Sequence, residues 1–249
     1  MNIWAIADLH LSFGVPSKTM EVFGEEWTQY SQRIKDFWLS NISPSDLVLI
    51  AGDISWAKNL KEALVDFSWI DNLPGTKVFI KGNHDYWWSS KSKLIAALPQ
   101  SCHFIQNDVF NWNGISIGGT RLWESSEFNF DGYVNYEKNP TKNTETEVVE
   151  NVVDNEKIFQ REKERLILSL SQLDKNAKYK IAMTHYPPIS ADLKDSQISK
   201  ILEEYKIDLC VFGHLHHVRK DKKLFGEKNG IKYVLSSSDF LNFKALKVY

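Results

Sequence analysis

The chain has 249 residues, of which 43% are hydrophobic and 25% charged, with a formal net charge of -2. This composition fits one large globular core. No run approaches the roughly 18 consecutive apolar residues of a membrane span, which argues against membrane insertion. The 30 Lys and Arg are scattered, leaving no clear patch for nucleic acid.

In chain order, NIWAIA near the start reads as a buried strand. The first ten residues, MNIWAIADLH, have no basic stretch of a signal peptide, so Asp8 and His10 are expected in the mature fold. EEWTQYSQRIKDFWLS at about 25 to 40 has helical periodicity. LVLIAG at 47 to 52 and KVFIKG at 77 to 82 read as strands, with helical patterns at 59 to 71 and 89 to 98. CHFIQNDVFNWNGISIGGTRLW contains short strands with turn signals at Asn107-Asp108 and Asn113-Gly114, which predicts a hairpin. The segment from about 124 to 151 lacks periodicity and is expected to be a cap or mobile loop. A charged helix at 154 to 173, a strand KIAMTH at 180 to 185, a helix at 196 to 205 and a strand LCVFGH at 209 to 214 follow. The alternation predicts a layered α/β architecture in one domain spanning 1 to 249. Cys102 and Cys210 lie far apart among apolar residues and read as buried small hydrophobes. That usage suits a reducing cytosol, so a cytoplasmic location is expected.

Five apolar runs end in polar clusters: Asp8 and His10 in ADLHL, Asp53 in AGDIS, Asn83 and His84 in KGNHD, His185 in MTHYPP, and His214 and His216 in FGHLHH. A lone His after a strand is more often a structural histidine than a ligand. The repetition changes the weighing, because ligands of α/β sheets bind beyond the carboxyl ends of the strands, where distant residues converge. Carboxylates, imidazoles and an amide without thiolate suit Mn, Fe, Zn or a similar divalent ion. They are too many for one ion. With Asp53 as a bridge, Asp8, His10, Asn83, His185, His214 and His216 can be shared between two ions about 3.5 to 4 Å apart. Two divalent ions carry four positive charges against two negative ones from Asp8 and Asp53. Asn83 coordinates without adding charge, so the site stays electropositive enough for a phosphate ester. His84, beside the amide, is expected to face the leaving group as general acid, with Asp85 setting its orientation or pKa.

The set of D-x-H, G-D-x-x, G-N-H-[DE], a later His and G-H-x-H, matched here from Asp8 to His216, resembles the calcineurin-like metallophosphoesterase superfamily. GDISWA with GNHDYWW looks most like a bacterial branch of phosphohydrolases. The resemblance implies a four-layer sandwich of two β-sheets flanked by helices, a dinuclear metal centre, and attack on phosphorus by a hydroxide bound there. It implies one ion on Asp8, His10, Asp53 and His216 and another on Asp53, Asn83, His185 and His214. GDISWAK lacks the Asp-Arg pair of the Ser/Thr protein phosphatase branch, and Asp85 stands where that branch has Glu. Among substrates, phosphodiesters are therefore slightly favoured over phosphomonoesters and pyrophosphates. The four residues DLHL also occur in a lipid-sugar pyrophosphohydrolase branch, too short a match to assign that substrate. The alternative is a non-catalytic metal-binding or protein-interaction scaffold on the same fold.

Arg121 in GGTRLW follows a strand, where it can bind phosphate oxygens or pair with a carboxylate. Trp87 and Trp88 favour packing over substrate stacking. KDKK at 220 to 223 reads as a solvated hairpin face.

Overall fold

The computed structural model describes residues 1–135 and 152–249. In chain order the elements are β1 (Ile3–Ile6), α1 (Tyr30–Asn41), β2 (Leu47–Ile50), α2 (Leu60–Asp71), β3 (Thr76–Phe79), α3 (Lys91–Ala97), β4 (Cys102–Phe104), β5 (Val109–Trp112) and β6 (Ile115–Thr120). They continue with α4 (Val152–Leu170), β7 (Tyr179–Thr184), α5 (Gln197–Glu204), β8 (Leu209–Phe212), β9 (Gly226–Lys228), β10 (Ile231–Leu235) and β11 (Leu246–Lys247). One sheet has five strands in the order β11-β1-β2-β3-β4, and the other six in the order β5-β6-β7-β8-β10-β9. Strands β1 to β4 run parallel, as do β6, β7, β8 and β10, with antiparallel strands at the edges.

Period-two alternation of apolar residues builds the layers. In β2, Leu47 and Leu49 face the opposite sheet, where they meet Ile117, Ile181, Met183 and Val211. Val48 and Ile50 face outward with Trp38, Phe67 and Ile70 of the helices. In the second sheet Ala182, Cys210 and Phe212 turn toward Leu166, Leu170 and Leu202. These inner parallel strands are therefore apolar on both faces, as buried parallel strands must be. Full burial of each large aliphatic or aromatic side chain contributes about 1.5–3 kcal/mol. The result is the expected helix, sheet, sheet, helix sandwich. Both cysteines are free and buried. Among the described residues no helix is long and apolar enough to cross a membrane.

Three local differences from the expected elements have physical causes. The helix expected from residue 25 starts at Tyr30, because Gln29 has φ 50° and separates it from a 3-10 turn at Glu25–Trp27. The Asn113-Gly114 turn closes the β5–β6 hairpin, with both residues at positive φ. Asn107-Asp108, by contrast, lies where the chain crosses from one sheet to the other, since β4 pairs with β3 and β5 with β6. Strand β10 escapes the apolar runs because Lys232 interrupts it, yet it pairs in parallel with β8. Of the expected cap or loop at 124–151, residues 136–151 lie outside the described residues.

Candidate metal centre

Asp8, Asp53, Asn83, His185 and His214 follow the carboxyl ends of β1, β2, β3, β7 and β8. The two sheets approach one another there, where Ala7 bridges to Ser237 beyond β10. Parallel pairing continues past the strands: Asp8 N–H donates to the Gly52 carbonyl and His10 N–H to the Asp53 carbonyl, both at 3.0 Å. Asp8, His10, Asp53 and His214 have φ of 57°, 44°, 53° and 73°, an uncommon conformation for non-glycine residues that concentrates at functional sites. Gly82 is required for the close approach of the loops, because a Cβ there would strike the backbone N and carboxylate of Asp53.

Hydrogen bonds on the far side of two imidazoles settle which nitrogen faces the crevice. His185 Nδ1 lies 2.9 Å from the Ala51 carbonyl, which accepts only, so Nδ1 carries the proton. In the neutral ring Nε2 then presents a lone pair, 2.7 Å from Asn83 Oδ1 and 3.4 Å from Asp53 Oδ2. Three acceptors facing one another repel unless positive charge sits among them. Similarly, His216 Nδ1 donates to Asp239 at 3.0 Å, which turns Nε2 toward His10 Nε2 at 3.2 Å and Asp8 at 3.8 Å. Asn83 Oδ1 is also 3.1 Å from His214 Nδ1.

In the metal-free protein, protons provide that positive charge. Burial pushes His185 down, but Asp53, Asp8 and the Ala51 carbonyl outweigh it and hold the imidazole at about 9. Burial likewise lowers His216, and Asp239 with Asp8 and Asp53 outweighs it, again to about 9. His10 and His214 go the other way, well below the usual range, chiefly through burial. Burial lifts Asp8 to about 6 against the pull of His216 and His185. For Asp53, burial is outweighed by His185 and His10, which keep it well below the usual carboxylate range.

Among the described residues two sets of donor atoms, each with its members within 4.8 Å of one another, are Asp8, His10 and His216, and Asp8, Asp53 and His185. Both contain Asp8, whereas the expected partition shares Asp53. Asp53 Oδ2 stands between the groups, 3.7 Å from His10 Nε2 and 3.4 Å from His185 Nε2. Imidazole, carboxylate and amide donors without thiolate fit divalent ions. Buried His10 Nδ1, His84 Nδ1 and the indole N–H groups of Trp27 and Trp56, which pack on His10, have no hydrogen-bond partner among the described residues.

His84 lies beside these groups, its ring 5.7 Å from His10 and 4.6 Å from Trp56, while its backbone N–H donates to Asp53 at 2.8 Å. Burial lowers its imidazole, with Asp53 opposing. Asp85 does not contact this ring by any hydrogen bond; it accepts N–H bonds from Asp53, Ile54, Ser55 and Gly82 and from the indole of Trp87. It is the tie between the AGDIS and KGNHD loops. Arg121 is held by Glu162 at 3.3 Å and lies over Trp123, 4.6 Å from the ring centroid. Its carbonyl accepts from the N–H groups of His185 and Tyr186 at 3.1 and 3.0 Å. Trp87 is buried, 5.1 Å from Phe67. Asp239 went unnoticed in the sequence: SSSDF carries no sign that it will meet His216.

The family model described as calcineurin-like phosphoesterase matches residues 1–218. The chain belongs to the calcineurin-like phosphoesterase family. The chain is also similar to the Gene 66 proteins of Mycobacterium phages D29 (30% identity over 84 residues) and L5 (31% over 86). Each match spans 34% of this chain and 40% of the phage protein. Among solved structures, the phosphopantetheinyl hydrolase of Mycobacterium tuberculosis has a TM-score of 0.53 at 14% identity, covering 99% of this chain and 95% of the other. That likeness concerns the fold alone.

Proposed function

We propose that this phosphoesterase-family chain hydrolyses a phosphate ester, diesters ahead of monoesters and pyrophosphates, using two divalent ions. Asp8, His10, Asp53, Asn83, His185, His214 and His216 hold them, with Asp53 between. Bound there, such ions supply Lewis acidity toward phosphoryl oxygens and activate water as the nucleophile. The chain's own part is to keep the site positive and ordered. Only Asp8 and Asp53 return negative charge, Ala51 and Asp239 aim two imidazoles, and Trp56 fixes the rings of His10 and His84. His84 donates a proton to the leaving oxygen. A phosphate contact by Arg121 remains part of the proposal and requires its guanidinium to leave Glu162.

The observation that carries this reading is the meeting of His185 Nε2, Asn83 Oδ1 and Asp53 Oδ2 within 3.4 Å of the imidazole nitrogen, an arrangement that positive charge among the three atoms stabilises. The test is chelation, reloading with Mn, Fe or Zn, and assay on phosphodiesters, phosphomonoesters and pyrophosphates. Expected are metal-dependent turnover fastest on a diester, two ions per chain by elemental analysis, and loss of both in Asp53→Asn. Bound metal without turnover on any class would leave a metal-binding scaffold instead.

A further inference from the structure

A cavity of about 490 Å³ opens beside the metal centre at His214 and His216, within the size range of small-molecule sites. Its wall is aromatic. Tyr186 stacks on His214 with centroids 3.9 Å apart, Trp123 packs on Tyr186 at 5.1 Å, and Phe128 meets Phe130 edge to face at 5.5 Å. Among the described lining residues there is no Lys or Arg, and Glu124 is the single carboxylate. Arg33, Arg219 and Lys220 line an adjoining groove that shares Asn135 and His217 with the cavity.

We infer that this cavity receives an uncharged organic group of aromatic size, belonging to the phosphate ester whose phosphoryl group lies at the metal centre. The inference rests on the phosphoesterase reading above. An anionic group entering it would shed water without meeting a Lys or Arg among the described lining residues, a cost that the aromatic wall does not offset. An apolar ring would instead exchange water for aromatic faces. Continuity with His214 joins this wall to the phosphate subsite, so both parts of one molecule are held together. The cavity therefore selects against esters carrying a second anionic group on that side, such as further phosphates or carboxylates.

The test uses metal-loaded protein and three non-hydrolysable phosphonates as competitive inhibitors, with calorimetry as an independent measure of binding. Phenylphosphonate is expected to bind about tenfold more tightly than methylphosphonate, and phosphonoacetate more weakly than either. Phe128→Ala, at a half-buried position, should reduce the phenyl advantage by about fivefold. Asn129→Lys, at an exposed position of the same wall, should improve phosphonoacetate relative to phenylphosphonate. If the three bind alike, or phosphonoacetate binds best to the unaltered protein, the inference is overturned while the phosphoesterase reading stands. If none binds and no ester is hydrolysed, the phosphoesterase reading fails and takes the inference with it.

Discussion

Replacing Asp85 by Asn changes one atom's chemistry at the junction of two ligand-bearing loops. Oδ1 accepts from Ile54, Ser55 and Trp87 at 2.9, 3.2 and 2.9 Å, and Oδ2 from Asp53 and Gly82 at 3.0 and 2.7 Å. An amide can keep its oxygen at the first position, but its NH2 then faces the N–H groups of Asp53 and Gly82. Two hydrogen bonds to a charged acceptor are lost, each worth about 1.5–3 kcal/mol. The loss is partly offset, because burial and Asp53 push the Asp85 carboxyl up to about 6 and the neutral amide escapes that cost. The destabilisation is therefore expected at the lower end, about 3 kcal/mol. That is a large part of the roughly 5–15 kcal/mol that holds a typical domain folded. Asp53 moves with its loop, so metal content should fall as well. Urea denaturation of the metal-free protein and elemental analysis of the loaded protein measure the two effects separately. A variant within about 1 kcal/mol of wild type, fully loaded with metal and impaired only in kcat, would refute the loop-tie reasoning and return Asp85 to the expected role of tuning His84.

Asp239→Asn keeps an acceptor for His216 but removes its charge, and metal affinity in chelator competition should weaken by about 10–100-fold; unchanged affinity would separate Asp239 from the centre. His84→Ala should leave metal content at the wild-type level and cost about 100-fold to 10,000-fold on an alkyl phosphate ester, with far less lost on a p-nitrophenyl ester whose phenolate departs unprotonated. Loss of a metal ion in that variant would make His84 part of the ligand set. In the metal-free protein His185 and His216 are raised from 6.5 to about 9, so their contribution to stability is complete below about pH 6.5 and disappears as pH rises through 9. The melting temperature after chelation should therefore fall between pH 7 and pH 9.5, about the range those values set, and added metal should restore it. A flat profile across that range would show that the two imidazoles are not protonated in the folded state.

The metal-site candidates were legible because each follows an apolar run, and in parallel strands the run's carboxyl end is where the chain meets the crevice. Asp8 and His10, like His214 and His216, are two residues apart, but they lie beyond the strands in loops where Asp8, His10 and His214 take positive φ, so strand alternation is not what brings each pair together. The layers were legible for a related reason: LVLIAG and KVFIKG are apolar on consecutive positions, the mark of strands covered on both faces. What stayed hidden depends on which strands become neighbours. Asp239 reaches His216 because β10 lies beside β8, and no local pattern announces that pairing. Asp85 was visible as a residue, but its adjacency to His84 in sequence suggested the wrong partner. Its carboxylate turns instead to the AGDIS loop more than 30 residues away, with the Trp87 indole completing the shell. The start of α1 was misplaced because Trp27 and Tyr30 share helical spacing although Gln29 takes a left-handed conformation between them.

The same geometry explains why the centre needs two outer anchors. Four non-glycine residues of the candidate ligand set hold positive φ, and strained backbone of this kind costs on the order of 1–3 kcal/mol per residue. Asp8 and Asp53 are buried as well, at 0% and 1% exposure, where an uncompensated carboxylate is strongly disfavoured. A crevice with these features does not order itself. The apolar layers supply the stability, but they are non-directional and cannot choose the loop conformation. Direction comes from hydrogen bonds: the Asp85 carboxylate fixes the Asp53 and Gly82 backbone, and the Asp8 carboxylate accepts from His214 N–H at 3.0 Å across the two sheets. Asp239 does the same for the FGHLHH loop through His216 Nδ1 and the His217 N–H. The donors that face the crevice are thus aimed from behind, His216 by the Asp239 carboxylate and His185 by the Ala51 carbonyl, in an arrangement that favours positive charge among them.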